Sequence, residues 1–125
     1  KVTVTLRKSY GGAHCVMSSK QLKGDINYAW PTAEIAVMGP QGAIEVLEGK
    51  TISEIADAAE RKEYVAKKEQ EYRDKFANPY EAARYGYLDD VIEPRNTRFR
   101  VIRALRTLST KKDPGPMKKH GNIPL

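Results

Sequence analysis

Cysteine is almost absent from this chain. Cys15 stands alone among 125 residues, which excludes an intramolecular disulfide and any cysteine-built zinc site. Histidine is nearly as scarce, with two, and no His, Cys, Asp or Glu cluster has metal-ligand spacing. No carboxylate pair or phosphate-binding glycine loop has diagnostic spacing either. No apolar run approaches the roughly 20 residues of a membrane span, and no signal-peptide pattern opens the chain. With a lone thiol, a reducing cytoplasm is the expected setting. Opening on Lys1 rather than Met is expected of a processed chain or an excised piece.

What is present is an ordinary globular balance, 40% apolar and 30% charged, enough for one domain with a modest core. The net charge of +6 is unevenly spread. Between Arg95 and Lys119 five arginines and four lysines accompany one acid, Asp113. Such a stripe suits nucleic acid, CoA phosphates or an acidic partner surface. Without interleaved aromatics or a reading motif, the stripe reads as a solvated helix face and tail, with no nucleic acid as partner.

The pattern over residues 2–7 predicts a strand, Val2, Val4 and Leu6 on one face and Thr3 and Thr5 on the other. It delivers a Gly11-Gly12-Ala13 turn and a short helix over 12–18. Glycine lets main-chain N–H groups approach a ligand closely, and two such donors can hold a developing oxyanion. A plain tight turn is the alternative. Lys23-Gly24-Asp25 is a turn, and Ile26 to Trp30 reads as a second strand stopped by Pro31. Ile35-Ala36-Val37-Met38 fits a buried strand within 34–38, and Pro40 opens a helix to about Glu48. The sum is a mixed α/β pattern.

Thr51 to Phe76 reads as one long charged helix, capped by Thr51 or Ser53, with Glu69 and Arg73 as an (i, i+4) pair. It is either an arm reaching a neighbouring chain or a helix packed on its own domain. Asn78-Pro79 starts another helix, with Ala82, Ala83 and Tyr80 inward and Gly86 at its end. Leu88 to Ile92 reads as a strand. Pro94 opens a final helix whose Phe99, Ile102, Leu105 and Leu108 form an apolar seam opposite the arginines. Pro114-Gly115-Pro116 breaks regular structure and leaves a tail that needs external contacts.

Gly11-Gly12-Ala13-His14-Cys15-Val16-Met17-Ser18-Ser19-Lys20, followed by Asn27-Tyr28-Ala29-Trp30-Pro31-Thr32-Ala33-Glu34-Ile35-Ala36-Val37-Met38-Gly39-Pro40-Gln41-Gly42-Ala43, resembles the biotin-dependent acyl-CoA carboxyltransferases. These are the β subunits of propionyl-CoA carboxylase and the α subunits of methylmalonyl-CoA decarboxylase. Asn78-Pro79-Tyr80-Glu81-Ala82-Ala83, Asp89-Asp90-Val91-Ile92 and Lys118-Lys119-His120-Gly121-Asn122-Ile123-Pro124-Leu125 carry the same likeness, which is weakest between Glu48 and Ala77. The resemblance implies a crotonase-like β-β-α superhelix, here the C-terminal portion of the carboxyltransferase C-domain. Residues 1–110 would belong to that domain and 111–125 to an extended basic tail.

It also implies a chemistry. Carboxybiotin, carried on a partner protein, meets an acyl-CoA between two half-domains, and CO2 passes from one to the other. The resemblance places the oxyanion hole for the biotin enolate at the backbone N–H groups of Gly12 and Ala13. Gly11, His14, Cys15, Trp30, Pro31 and Thr32 would line the substrate site, with Trp30 as core packing the alternative. Related sequences carry an aromatic at position 14, and a lone His without an acidic orienter is more often structural than a general base. Position 15 is associated with acyl-chain choice, where Asp or Ile is commoner than Cys. Implied partners are biotin carboxylase and biotin carrier subunits, or a membrane decarboxylase subunit, within a hexameric homo-oligomer. No metal is implied in this segment. A sodium-pumping methylmalonyl-CoA decarboxylase and a noncatalytic oligomerisation or interaction module are the alternatives, and the segment alone would be inactive.

Overall fold

The computed structural model describes residues 1–112, so the expected 111–125 tail, with its Pro114-Gly115-Pro116 break, lies outside the described residues except for Lys111 and Lys112. Val2–Thr5 forms strand β1, shorter than the sequence predicts, because the chain turns at Leu6 and Arg7. A second strand, β2, follows at Lys8–Tyr10 and delivers the glycine turn in place of β1. Helix α1 spans Gly11–Val16. The same order then repeats: β3 at Ile26–Ala29, β4 at Glu34–Ala36, and α2 at Pro40–Glu54.

The repeat sets the topology. First strands pair with first strands, so β1, β3 and β5 (Asp90–Val91) make one parallel sheet in that order. Second strands pair with second strands, β2 with β4, also parallel, with Lys8 opposite Glu34 and Tyr10 opposite Ala36. The ladder carries through the corner between the sheets, where Trp30 N–H donates to Thr5 O at 2.9 Å and Glu34 N–H to Arg7 O at 2.8 Å. Successive β-β-α units stacked this way form the expected superhelix.

Strand β3 is central to the core because a period of two gives it two buried faces. Tyr28 packs with Ile92 and Ala104 of helix α5 (Thr97–Thr107). Ala29, on the other face, packs with Ala33, Ile35, Leu88 and Ala82 of α4 (Pro79–Arg84). Asn78 caps α4 as expected, its side chain accepting from Glu81 N–H at 2.9 Å, but Tyr80 is 61% exposed rather than inward. On that short helix the inward stripe is Ala82 and Pro79, and Tyr80 falls a quarter-turn away.

The helical region departs further from the sequence reading. Helix α2 continues to Glu54, so Thr51 and Ser53 lie in its last turns and cap nothing. The chain is extended at Ile55, and a separate helix α3 (Ala58–Lys75) starts at Asp57, whose Oδ2 accepts from Glu60 N–H at 2.9 Å. Helices α2 and α3 pack on each other, joined by Tyr64 and Glu48, and α3 has no fully buried residue; the expected Glu69–Arg73 pair is present at 3.0 Å. The strand expected over 88–92 contracts to Asp90–Val91. A single 3-10 turn at Pro94–Asn96 precedes α5. That helix turns Thr97, Val101, Ala104 and Leu108 inward, leaving Phe99 (64%) and Leu105 (54%) exposed. Small Ala104 lets the helix close on Tyr28, and the bulkier seam is left outside.

Candidate functional site

The end of β2 sets the site. Tyr10 is extended (φ −118°, ψ 140°), and the chain then reverses at Gly11 with φ +53°. A side chain there would be strained by that φ, and its Cβ would stand 2.8 Å from the Val37 carbonyl oxygen. Only glycine fits. Helix α1 follows, and by helix geometry the N–H groups of its first turn, Gly12 and Ala13 among them, have no acceptor within the helix. Gly12 is exposed, and around a Cβ position on it no atom lies within 4 Å.

Gly11, Gly12, His14 and Cys15 form one wall of a groove of about 770 Å³. Ile35, Ala36 and Val37 of the β4 edge and Leu47 of α2 form its floor. Four aromatics complete it: Tyr72 and Phe76 at the end of α3, tilted at 5.4 Å between ring centroids, and Tyr85 and Tyr87 after α4. Those four were missed by sequence reasoning. Their nearness in sequence to Asn78-Pro79, where α3 gives way to α4, was the available signal.

His14 Nδ1 lies 2.9 Å from Ser9 Oγ, and burial holds its imidazole below the ordinary value, so the ring is neutral near pH 7. A hydroxyl orienter does not raise its basicity as a carboxylate would, and nothing in this geometry equips it for proton abstraction. Cys15 is free and half-buried at the groove wall. Tyr10 donates its phenol hydrogen to Glu34 Oε2 on β4; burial first, then that carboxylate, push the phenol up to about 12.

Three expected lining residues stand elsewhere. Trp30 packs against the Tyr28 cluster, its Nε1–H donating to Thr97 Oγ1 at 2.8 Å. Pro31 and Thr32 line a different cavity of about 500 Å³, with Glu34, Arg73 and Tyr80. Among the described residues no group of three or more His, Cys, Asp or Glu could hold a metal ion, and no helix is long and apolar enough to cross a membrane.

Comparison with known proteins bears on this geometry. The family model described as carboxyl transferase domain matches residues 1–123. The carboxyltransferase subunit of propionyl-CoA carboxylase from Haloferax mediterranei is 55% identical over 124 residues, covering 99% of this chain and 23% of that protein. The α subunit of methylmalonyl-CoA decarboxylase from Propionigenium modestum is 51% identical over 125 residues, 100% of this chain and 24% of that protein. Among solved structures, the transcarboxylase 12S hexamer with methylmalonyl-coenzyme A bound superposes with a TM-score of 0.85 at 46% identity, covering 100% of this chain and 24% of that one. The chain therefore spans about a quarter of the length of these relatives.

Proposed function

The chain belongs to the carboxyl transferase domain family, and we propose that it forms the carboxybiotin side of an acyl-CoA carboxyltransferase acting on propionyl-CoA or methylmalonyl-CoA. The observation that carries this reading is the turn whose Gly11 and Gly12 open onto the apolar groove, with Ala13 next in the same helix. The substrate class follows the names of the relatives.

Biotin on a partner carrier is the implied cofactor, and the residues present fit it in two respects. The groove is apolar and aromatic, suited to a fused ring with an alkyl chain, and the glycine at position 12 puts no side chain in the way of a close approach. Carboxybiotin bound there would supply the CO2 and a ureido oxygen on which negative charge would need stabilising. The N–H groups of Gly12 and Ala13 accept the task of holding that charge. Main-chain donors have no proton to titrate and are fixed by the fold before reaction, which is how preorganised dipoles lower a barrier. His14 and Cys15 shape the wall without moving a proton.

The acyl-CoA side requires its own oxyanion donors, which we assign to the part of the relatives this chain does not span. Partners follow: biotin carboxylase and carrier subunits, a second copy completing the site, and a hexamer by analogy with the transcarboxylase assembly. The setting we infer is cytoplasmic. A decarboxylase α subunit, bound to a membrane partner, is the second reading, favoured by the Propionigenium modestum relative. A noncatalytic interaction module would lack any use for the exposed glycine at position 12.

The test is made in the complete subunit, with free biotin as the carboxyl acceptor. Gly12→Pro deletes one donor and should cost about 2.7–4 kcal/mol of transition-state stabilisation, while Ala13→Ser keeps both donors. His14→Phe should keep most activity. A folded Gly12→Pro enzyme with normal turnover, or a folded and dead His14→Phe enzyme, would put the chemistry on other atoms. The segment by itself should show no turnover.

A further inference from the structure

We infer that Tyr10 is a positioning residue: its phenol, hydrogen-bonded to Glu34 on the neighbouring strand, fixes the direction of the Gly12 and Ala13 N–H groups, an inference that rests on the role proposed for those groups.

Two adjacent glycines make the turn conformationally loose, because neither has a Cβ to restrict its backbone. Something outside the glycines must therefore aim the amides. Strand β2 is only three residues long, and Tyr10 is both its last residue and the N-cap of α1. In the β2–β4 register Lys8 faces Glu34 and Tyr10 faces Ala36, so Tyr10 and Glu34 share one face of the pair on the diagonal. The phenol reaches back along that diagonal to the carboxylate. Its ring meanwhile covers Gly39: a Cβ built there would sit 3.5 Å from Tyr10 Cδ2 and Cε2. Gly39 immediately precedes α2, and two residues earlier Val37 places its carbonyl against Gly11.

The β4–α2 connection thus crowds the turn at Gly11, where Val37 O leaves no room for a side chain, and Tyr10 ties the turn to β4 through Glu34. Ser9 to His14 at 2.9 Å ties the far side of the turn. The phenol pKa near 12 means the hydroxyl remains a donor at any pH used for assay. Arg73, near enough to Tyr10 to act on it electrostatically, lines the same cavity as Glu34 but is itself paired with Glu69. The tie therefore depends on the Tyr10–Glu34 pair.

The experiment uses the complete subunit and carboxyl transfer to free biotin. Tyr10→Phe keeps the ring over Gly39 and removes the hydrogen bond. It should lower kcat about 10- to 100-fold, the scale of a small misplacement near reacting atoms, with KM for the acyl-CoA unchanged. Glu34→Gln retains an acceptor oxygen and should keep most of the activity. In a Gly12→Pro background Tyr10→Phe should have a smaller further effect, because one of the two donors it aims is gone and only Ala13 N–H remains. A folded Tyr10→Phe enzyme with full kcat, a loss confined to KM, or a loss of full size in the Gly12→Pro background overturns the inference. If Tyr10→Phe does not fold, Glu34→Ala takes its place with the same readings. Normal turnover of Gly12→Pro by itself defeats the proposed function instead, which keeps the two failures apart.

Discussion

Gly11 and Gly12 are neighbours of one type, yet substitution by alanine should move stability in opposite directions. At Gly11 an L-residue must adopt φ +53°, which costs about 1–2 kcal/mol. Its Cβ would also stand 2.8 Å from Val37 O, a backbone atom that has to shift, adding about 1–3 kcal/mol of the kind seen for overpacking. Reduced freedom of the unfolded chain returns about 0.4–1 kcal/mol. Gly11→Ala should therefore destabilise by about 1–4.6 kcal/mol. At Gly12 nothing lies within 4 Å of the new methyl, and the residue is helical, so Gly12→Ala should gain about 0.5–1 kcal/mol. Urea titrations of both variants in the same background, with equal slopes, give the difference directly. If the two fall within about 1 kcal/mol of each other, the positive φ and the Val37 contact are not what this turn depends on.

Three further outcomes are expected. Asp57→Ala removes the side-chain cap of α3 and should cost about 0.5–2 kcal/mol, read by urea denaturation, whereas Thr51→Ala, inside α2, should cost less. Thr97→Val leaves the Trp30 indole N–H without its acceptor and should cost about 1–3 kcal/mol; an unchanged melting curve would show that water replaces the hydroxyl. Because the folded state holds His14 below its ordinary pKa, the unfolded state binds more protons in the window between the two values. Its contribution is fully present above that ordinary value and is lost as pH falls through the folded one, so an NMR titration of the imidazole should have its midpoint below 6.5, and a midpoint above it would refute the burial argument.

Punctuation was the part of the fold most legible in the sequence. Pro40 and Asn78-Pro79 opened helices where structure places them, because a fixed φ and a side-chain cap act locally. The start of α3 was marked too, in Asp57 with Glu60 three residues on, but Ile52, Ile55, Ala56 and Ala59 carry an apolar stripe at helical spacing across it and masked it. Strand β2 was not legible: Lys8-Ser9-Tyr10 has neither length nor alternation, and it is a strand because β4 lies beside it. On α5 two stripes were compatible with a helical period, and the choice between them was made by the space above Tyr28, which admits Ala104 and excludes Phe99. The same holds for the site. Gly11, Gly12, His14 and Cys15 are adjacent in sequence and remain together, whereas the four aromatics opposite them are gathered only by the fold.

That division has a consequence for how such a site can change. If charge is held by main-chain N–H groups, the residues that matter most are those that set backbone direction: Gly11 through its φ and Tyr10 through its tie to Glu34. The side chains lining the groove, Cys15 and the aromatics among them, are then free to vary in size and polarity without removing the donors. Selection among acyl groups and retention of carboxyl transfer can be separated in one short stretch, because the first is written in side chains and the second in conformation. Substitutions at Cys15 should accordingly redistribute kcat/KM among acyl-CoA substrates of different size while leaving transfer to free biotin at one common rate. A Cys15 variant that slows transfer from every acyl-CoA equally would instead place that side chain among the groups that hold the turn.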